Sequence, residues 1–213
     1  MVRMGRLSLL CCLLYFGCAG AETNSLPDGG AADQGSDLAK AASCTSATCA
    51  GCCLNDNCQP GITLAACGKN AAACASCQGL DVCLLEQVCG LEPKKPWLLT
   101  VVNAEINAVA PDGKAWDFPS GDPDPFIRYN GNTDSASQSD TLFPRWSFAI
   151  TTTPEKLLAG IDNIEIWDED LTANDLIAIK KNLQFSEAEL RAGVADWQSW
   201  GRVVSIHFTL APK

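Results

Sequence analysis

Positive charge, histidine and long apolar runs are all scarce in this chain of 213 residues. Lys and Arg number 15 against 25 Asp and Glu, giving a net charge of −10 and a pI near 4.5. That balance excludes the basic face that non-specific nucleic-acid binding requires. With one histidine, His207, no Ser-His-Asp order can be traced, and neither a GxSxG elbow nor a phosphate-cradling glycine loop is present. The apolar run from Leu7 to Phe16 is too short to span a bilayer as a mature helix. Cysteine is missing too, but from one half only. After Cys89 there is none, so the chain from about Trp97 onward must stand on its own hydrophobic core.

What is present begins with an export signal. Arg3 and Arg6 form a basic start, Leu7 to Phe16 the apolar stretch, and small residues follow. Two processing sites compete. Gly17-Cys18 resembles a bacterial lipobox, in which Cys18 becomes the lipidated first residue, while Ala19-Gly20-Ala21 is a small-x-small site that would release a soluble protein. The Ala-, Gly-, Asp- and Ser-rich stretch from Glu22 to Ser43 has the composition of a tether behind a lipid anchor, which favours the lipoprotein reading. Either way, the expectation is an exported chain: membrane-anchored at the cell envelope, otherwise secreted.

Export explains the cysteines. Ten lie in one short segment, Cys44, Cys49, Cys52, Cys53, Cys58, Cys67, Cys74, Cys77, Cys83 and Cys89, with no histidine among them. In an oxidising compartment an even set of this kind becomes disulfides rather than a zinc site, with a connectivity the sequence does not give. The pattern Cys49-x2-Cys52-x5-Cys58 recurs as Cys74-x2-Cys77-x5-Cys83. So small a module lacks the apolar bulk for a conventional core, and cross-links must supply much of its stability. It reads as a rigid stalk, with a receptor-binding module as the other possibility. Glu92-Pro93-Lys94-Lys95-Pro96 marks its end and is expected to hold the next element apart.

Beyond that break the apolar runs are short and have period two. Trp97 to Val102 is apolar on both faces; Trp146, Phe148 and Ile150 alternate with Ser147 and Ala149; Ile164 and Ile166 flank Glu165. Val204, Ile206, Phe208 and Leu210 alternate with Ser205, His207 and Thr209, which puts His207 on the face opposite Val204 and Ile206. Repeated short alternation broken by Pro, Gly, Asp and Asn predicts an antiparallel sandwich. A short helix is expected within Phe185 to Ala195, with Ser186 as N-cap and Glu189 completing a capping box.

Two loop-like stretches about fifty residues apart, WDFPSGDPDPFI and IEIWDEDLTANDLI, carry Asp117, Asp124, Asp168, Asp170 and Asp175. If the fold brings them together, five carboxylates converge, and such a cluster is unstable without a cation. Hard oxygen ligands without His or Cys suit Ca²⁺, which takes six to eight oxygens, rather than zinc or a redox metal. The plain alternative is that Asp is a good turn residue beside Pro and Asn.

In this order the residues resemble a C2 domain. The opening apolar strand ending in Ala is matched by Leu99 to Ala104, and the first calcium loop by Asp117 followed by Asp124-Pro125-Phe126-Ile127. The Pro-x-Trp step is matched by Pro144-Arg145-Trp146, and the third loop by Asp168-Glu169-Asp170 with Asp175-Leu176-Ile177. The resemblance implies an all-β fold, an eight-stranded antiparallel β-sandwich in the circularly permuted topology with the edge strand last. It also implies that the five aspartates are Ca²⁺ ligands and that Phe118 and Leu171, beside Asp117 and Asp170, dip into a membrane. Otherwise Phe118 packs on Trp116 or Pro119 and Leu171 is an ordinary exposed leucine. Lys180 and Lys181 read as a basic patch or, more plainly, a solvated edge.

The expected organisation is thus an export signal over 1–18, a flexible linker over 19–43, a disulfide module over 44–90 and a C2-like sandwich over 97–213. The leading expectation is a non-enzymatic, calcium-dependent binding module on a tethered exported protein. Its partner would be anionic phospholipid or an extracellular protein or glycan, and not nucleic acid. An adhesion module with purely structural calcium, and a calcium-dependent hydrolase, are the other two readings.

Overall fold

The computed structural model of the chain describes residues 43–213 except 118, 119 and 172. Arg3, Arg6, Cys18 and the 19–42 stretch, with Phe118, therefore lie outside the described residues. Ala41–Lys213 form one compact unit. Its first part holds two small hairpins, β1 (Cys52–Leu54) with β2 (Asn57–Gln59) and β3 (Asp81–Cys83) with β4 (Cys89–Leu91). The ten cysteines pair completely, as Cys44–Cys53, Cys49–Cys58, Cys52–Cys74, Cys67–Cys83 and Cys77–Cys89. The sequence repeat does not survive as a repeat of pairing: Cys49 bonds Cys58, but its counterpart Cys74 crosses back to Cys52. Few apolar side chains are buried here, and Ile62, Leu64, Leu85 and Val88 are exposed, so the cross-links stand in for a core.

The remainder is a sandwich of two four-stranded sheets. One has the order β11-β12-β5-β8, the other β10-β9-β6-β7. The strands are β5 (Trp97–Ile106), β6 (Pro125–Tyr129), β7 (Thr133–Asp134), β8 (Arg145–Thr152), β9 (Ile164–Asp168), β10 (Asp175–Lys180), β11 (Val194–Trp200) and β12 (Val203–Pro212), all paired antiparallel. The last strand pairs with the first along nearly its whole length, Pro212 opposite Trp97 and Val203 opposite Ile106. Strand alternation fills the space between the sheets: Trp97, Leu99 and Val101 from β5, Ile206, Phe208 and Leu210 from β12, Ile164 and Ile166 from β9, all in one buried cluster. At roughly 25 cal/mol per Å² of apolar surface, burying each of these large side chains contributes about 2 kcal/mol before entropy is subtracted.

Two local readings change. A bulge where β12 pairs β5, between Val203 and Ser205, turns Val203 into the core and leaves Val204 41% exposed. Val204 therefore does not share a face with Ile206; His207 is outward-facing and hydrogen-bonds Asp196 of β11 at 2.7 Å. The second concerns helices. The capping box predicted at Ser186 and Glu189 is formed at α2 (Glu187–Ala192), but a second helix, α1 (Pro154–Ala159), also caps one end of the sandwich. Its signals are Thr153 as N-cap, Pro154 in the first turn and Gly160 after the end, where φ is +106° and a Cβ would strike Asn182.

The proline-bounded break is a pinned joint rather than a spacer. The Pro93 carbonyl accepts from the Glu155 N–H, that of Pro96 from the Lys213 N–H, and Leu91 joins the sandwich core. The Arg191 guanidinium bridges Glu187 on its own helix and Asp81 of β3 at 2.6 and 2.5 Å. The disulfide module is thereby fixed to the end of the sandwich carrying α1 and α2. The aspartate loops emerge at the other end, since Asp124 precedes β6, Asp168 closes β9 and Asp175 opens β10.

Candidate metal centre

Strand pairing brings the two aspartate stretches together. β9 lies between β6 and β10, with Asp168 opposite Pro125 on one side and Asp175 on the other. The Asp124 N–H donates to Asp168 Oδ1 at 2.6 Å, and the Glu169 N–H to the Asp124 carbonyl at 3.1 Å. Asp170 is held by its N–H on Asn174 Oδ1 at 3.1 Å. Asp117 comes in from the long loop after β5, which Trp116 anchors by burying its ring and donating Nε1–H to the Asn107 carbonyl at 2.8 Å. Gly121 permits the return of that loop: a Cβ there would stand 2.9 Å from Asp117 Cβ and 3.3 Å from its Oδ2.

Asp168 is the anomaly. Period-two alternation in β9 places Ile164, Ile166 and Asp168 on the same inward face, and all three are 0% exposed. A carboxylate thus occupies a core position. One oxygen has the Asp124 N–H; the other, Oδ2, is buried with no hydrogen-bond partner. Burial pushes the Asp168 carboxyl up to about 6 from the ordinary 3.8, only partly offset by the Asp124 N–H, with the charges of Asp117, Asp170 and Asp124 adding to the rise. Asp117 is raised by burial and then by Asp124, Asp170 and Asp140; Asp170 is raised by burial and then by Asp175 and Asp124. A buried oxygen without a donor, amid mutually repelling carboxylates, is the donor set of a hard cation, so these residues fit Ca²⁺.

The sequence reading missed a sixth carboxylate. Asp140 sits in the loop between β7 and β8, where its N–H donates to Asp124 Oδ1 at 2.5 Å and its own Oδ1 accepts from the Asp122 N–H at 3.0 Å. Its φ of +54° belongs to the left-handed region, which Asp tolerates better than most residues. The only sequence signal is its place shortly before the Pro144-Arg145-Trp146 step. Among the described residues no three of the aspartates bring carboxylate oxygens within 4.8 Å of one another, although Asp124 touches Asp168 and Asp140 through backbone N–H groups. Among the described residues, the triplets of possible ligands within 4.8 Å of one another are Cys44, Cys49 and Cys58, and Cys67, Cys77 and Cys89. All six are disulfide-bonded and offer no thiolate. Unneutralised carboxylates standing somewhat apart is what repulsion dictates.

Leu171, next to Asp170, is fully exposed at the tip of the third loop. Lys180 lies on the side of the sandwich, 5.5 Å over the Trp197 ring, away from the aspartates. Trp197 in turn stacks with Phe185 and Phe208 at centroid separations of 4.9 and 5.3 Å.

No family model matches the chain, and no curated protein matches it. Solved structures that it resembles include C2 domains and a cytosolic phospholipase A2. A calcium-bound pair of C2 domains from extended synaptotagmin 2 is 19% identical, with a TM-score of 0.39 over 57% of this chain and 46% of that one. A single C2 domain is 14% identical, with a TM-score of 0.38 over 55% of this chain and 98% of that one. Human cytosolic phospholipase A2 of group IVD is 18% identical, with a TM-score of 0.36 over 57% of this chain and 17% of that one. The chain therefore spans under half the length of the first and less than a fifth of the last.

Proposed function

We propose that residues 97–213 form a calcium-dependent C2-type module that binds a phospholipid membrane, on an exported chain tethered through Cys18. The observation that carries this reading is Asp168: a carboxylate on the core face of β9, with one oxygen buried and unpartnered, where three loops bring further carboxylates. Folding to this arrangement leaves a penalty that a divalent cation removes and that water cannot reach. Asp117, Asp124, Asp168, Asp170 and Asp175 would hold Ca²⁺, which when bound supplies positive charge and an open place for an outside oxygen such as a lipid phosphate. Leu171 at the loop tip is the apolar side chain placed to enter the headgroup region. Export, read from the N-terminus, would set these loops where calcium is plentiful and a weak site still fills.

The test has two stages. Calorimetric titration of the chain with calcium should give binding heat, and absence of heat at millimolar calcium would end the reading. Co-sedimentation with phospholipid vesicles should then be lost on adding a chelator and weakened by Leu171→Ser. Calcium binding without any vesicle binding would instead make calcium structural and the domain an adhesion module.

A further inference from the structure

We infer that the disulfide module rests on the bilayer in which Cys18 is anchored, with the tip of the β3–β4 hairpin entering the lipid. This rests on the tethered reading above, but not on calcium. A small module exposes apolar side chains because it cannot bury them; that does not explain where they are placed. A hairpin tip has no neighbour to bury a side chain, and Asn, Asp or Gly is the ordinary choice there. The β1–β2 tip follows the rule with Asn55 and Asp56, both left-handed. The β3–β4 tip does not. Its run Leu84-Leu85-Glu86-Gln87-Val88 closes by the Leu84 N–H on the Val88 carbonyl and the Gln87 N–H on the Leu84 carbonyl, each at 2.9 Å. Leu84 lies against Gly90, where a Cβ would stand 2.9 Å from its Cδ1. Leu85 is left 99% exposed and Val88 50%.

The tip is held in place. The Gln87 side-chain amide donates to the Pro60 carbonyl at 2.9 Å, and the Cys67–Cys83 disulfide ties the same two stretches together. Beside the tip this sets the loop carrying Ile62 and Leu64, 65% and 56% exposed. A patch ordered beforehand loses little conformational freedom on binding. What covers it follows from where the preceding chain leads. Residues 19–42 join Cys18 to the module at Ser43, not to the sandwich, so a membrane holding the Cys18 lipid meets the module first. Four apolar side chains bind a free chain only weakly; on an anchored one the contact is intramolecular and the anchor supplies the effective concentration. Glu86 and Glu92 at this end are matched in number by Lys94 and Lys95. The aspartate loops lie at the other end of the ten-residue β5, about 30 Å along it, and so face a second surface rather than this one.

The experiment uses the processed chain with disulfides intact, its Cys18 lipid checked by intact mass, reconstituted in phosphatidylcholine vesicles with chelator present. Tryptophan is introduced by Leu85→Trp and, at the opposite end, by Leu171→Trp; both side chains are exposed, so neither replacement disturbs packing. Above the background of the six native tryptophans, the Leu85→Trp emission should be quenched by lipid brominated on its acyl chains and shielded from aqueous iodide. Leu171→Trp should show the reverse. In the wild-type chain, amide hydrogen exchange across residues 84–88 should slow on vesicles relative to the Cys18→Ala chain in solution. Iodide reaching Leu85→Trp as freely as Leu171→Trp, or unchanged exchange across 84–88, overturns the inference and leaves the patch to a protein partner. Equal bromine quenching at both ends overturns it too, since the chain would then lie flat. A mass without lipid removes the tethered reading and the inference with it, and so is told apart from failure of the contact alone.

Discussion

Replacing Asp168 by Asn keeps the shape of the side chain and the acceptor for the Asp124 N–H, and removes only the charge. With the folded carboxyl at about 6 and the unfolded one at 3.8, holding it ionised at pH 7 costs the calcium-free fold about 3 kcal/mol. The Asn amide then occupies the place of Oδ2, where the orphaned position costs about 1 kcal/mol or more unless it finds a neighbouring carboxylate. Asp168→Asn should therefore stabilise the calcium-free chain by about 1–2 kcal/mol, or roughly 2–8 °C in melting temperature. Calcium at a hundredfold excess over its dissociation constant stabilises the wild type by about 2.7 kcal/mol, a gain the variant should largely lose. The order of stability should invert: variant above wild type in chelator, wild type above variant in calcium. Differential scanning calorimetry in both buffers reads this directly. A variant less stable than wild type in chelator would mean that Asp168 is a structural hydrogen-bonding carboxylate, and a wild-type calcium shift in the variant would remove it from the site.

The same residue sets a pH dependence. Because its folded value lies above its unfolded one, the calcium-free chain is most stable below pH 3.8 as far as this group is concerned, and loses that contribution as pH rises through about 6. Melting in chelator should therefore show stability falling between pH 4 and pH 7, with the slope flattened by calcium. Gly121→Ala drives a methyl into Asp117 and should weaken calcium binding severalfold in calorimetry with little change in chelator melting. Ser186→Ala removes the hydroxyl that accepts from the Glu189 N–H and donates to its carboxylate, while keeping the Ser186 N–H bond to that carboxylate, and should cost about 1 kcal/mol in denaturant titration without altering calcium affinity.

The sandwich was legible because its strands alternate and their inner residues are large: Ile164 and Ile166 announce a strand without any tertiary information. The same alternation, carried one step further, places Asp168 on the core face, and the five loop aspartates stand out by spacing alone. Asp140 does not, because it joins them through backbone donors and a left-handed turn that no periodicity marks. Val203 and Val204 exchange places for a similar reason: a bulge is set by the partner strand, not by the residues that bulge. Disulfide pairing depends on which sulfurs the hairpins bring close, so the sequence left the connectivity open and its repeat of spacing is not a repeat of pairing. The joint at residues 92–96 reads as a spacer locally, and becomes fixed only through Glu155, Arg191 and Lys213, far along the chain.

That joint determines how the molecule carries mechanical load. The disulfide module meets the sandwich at the start of β5, while the aspartate loops lie at the far end of the same strand. A tension applied between the two runs along β5, which is flanked by β12 on one side and β8 on the other. To yield, β5 must shear two ladders of hydrogen bonds at once, not peel them one at a time. The hydrogen bond from Lys213 to Pro96 closes the first and last strands together where the tension enters. The architecture is that of a grip held from behind, in which resistance to pulling comes from strand order and is independent of what the loops hold.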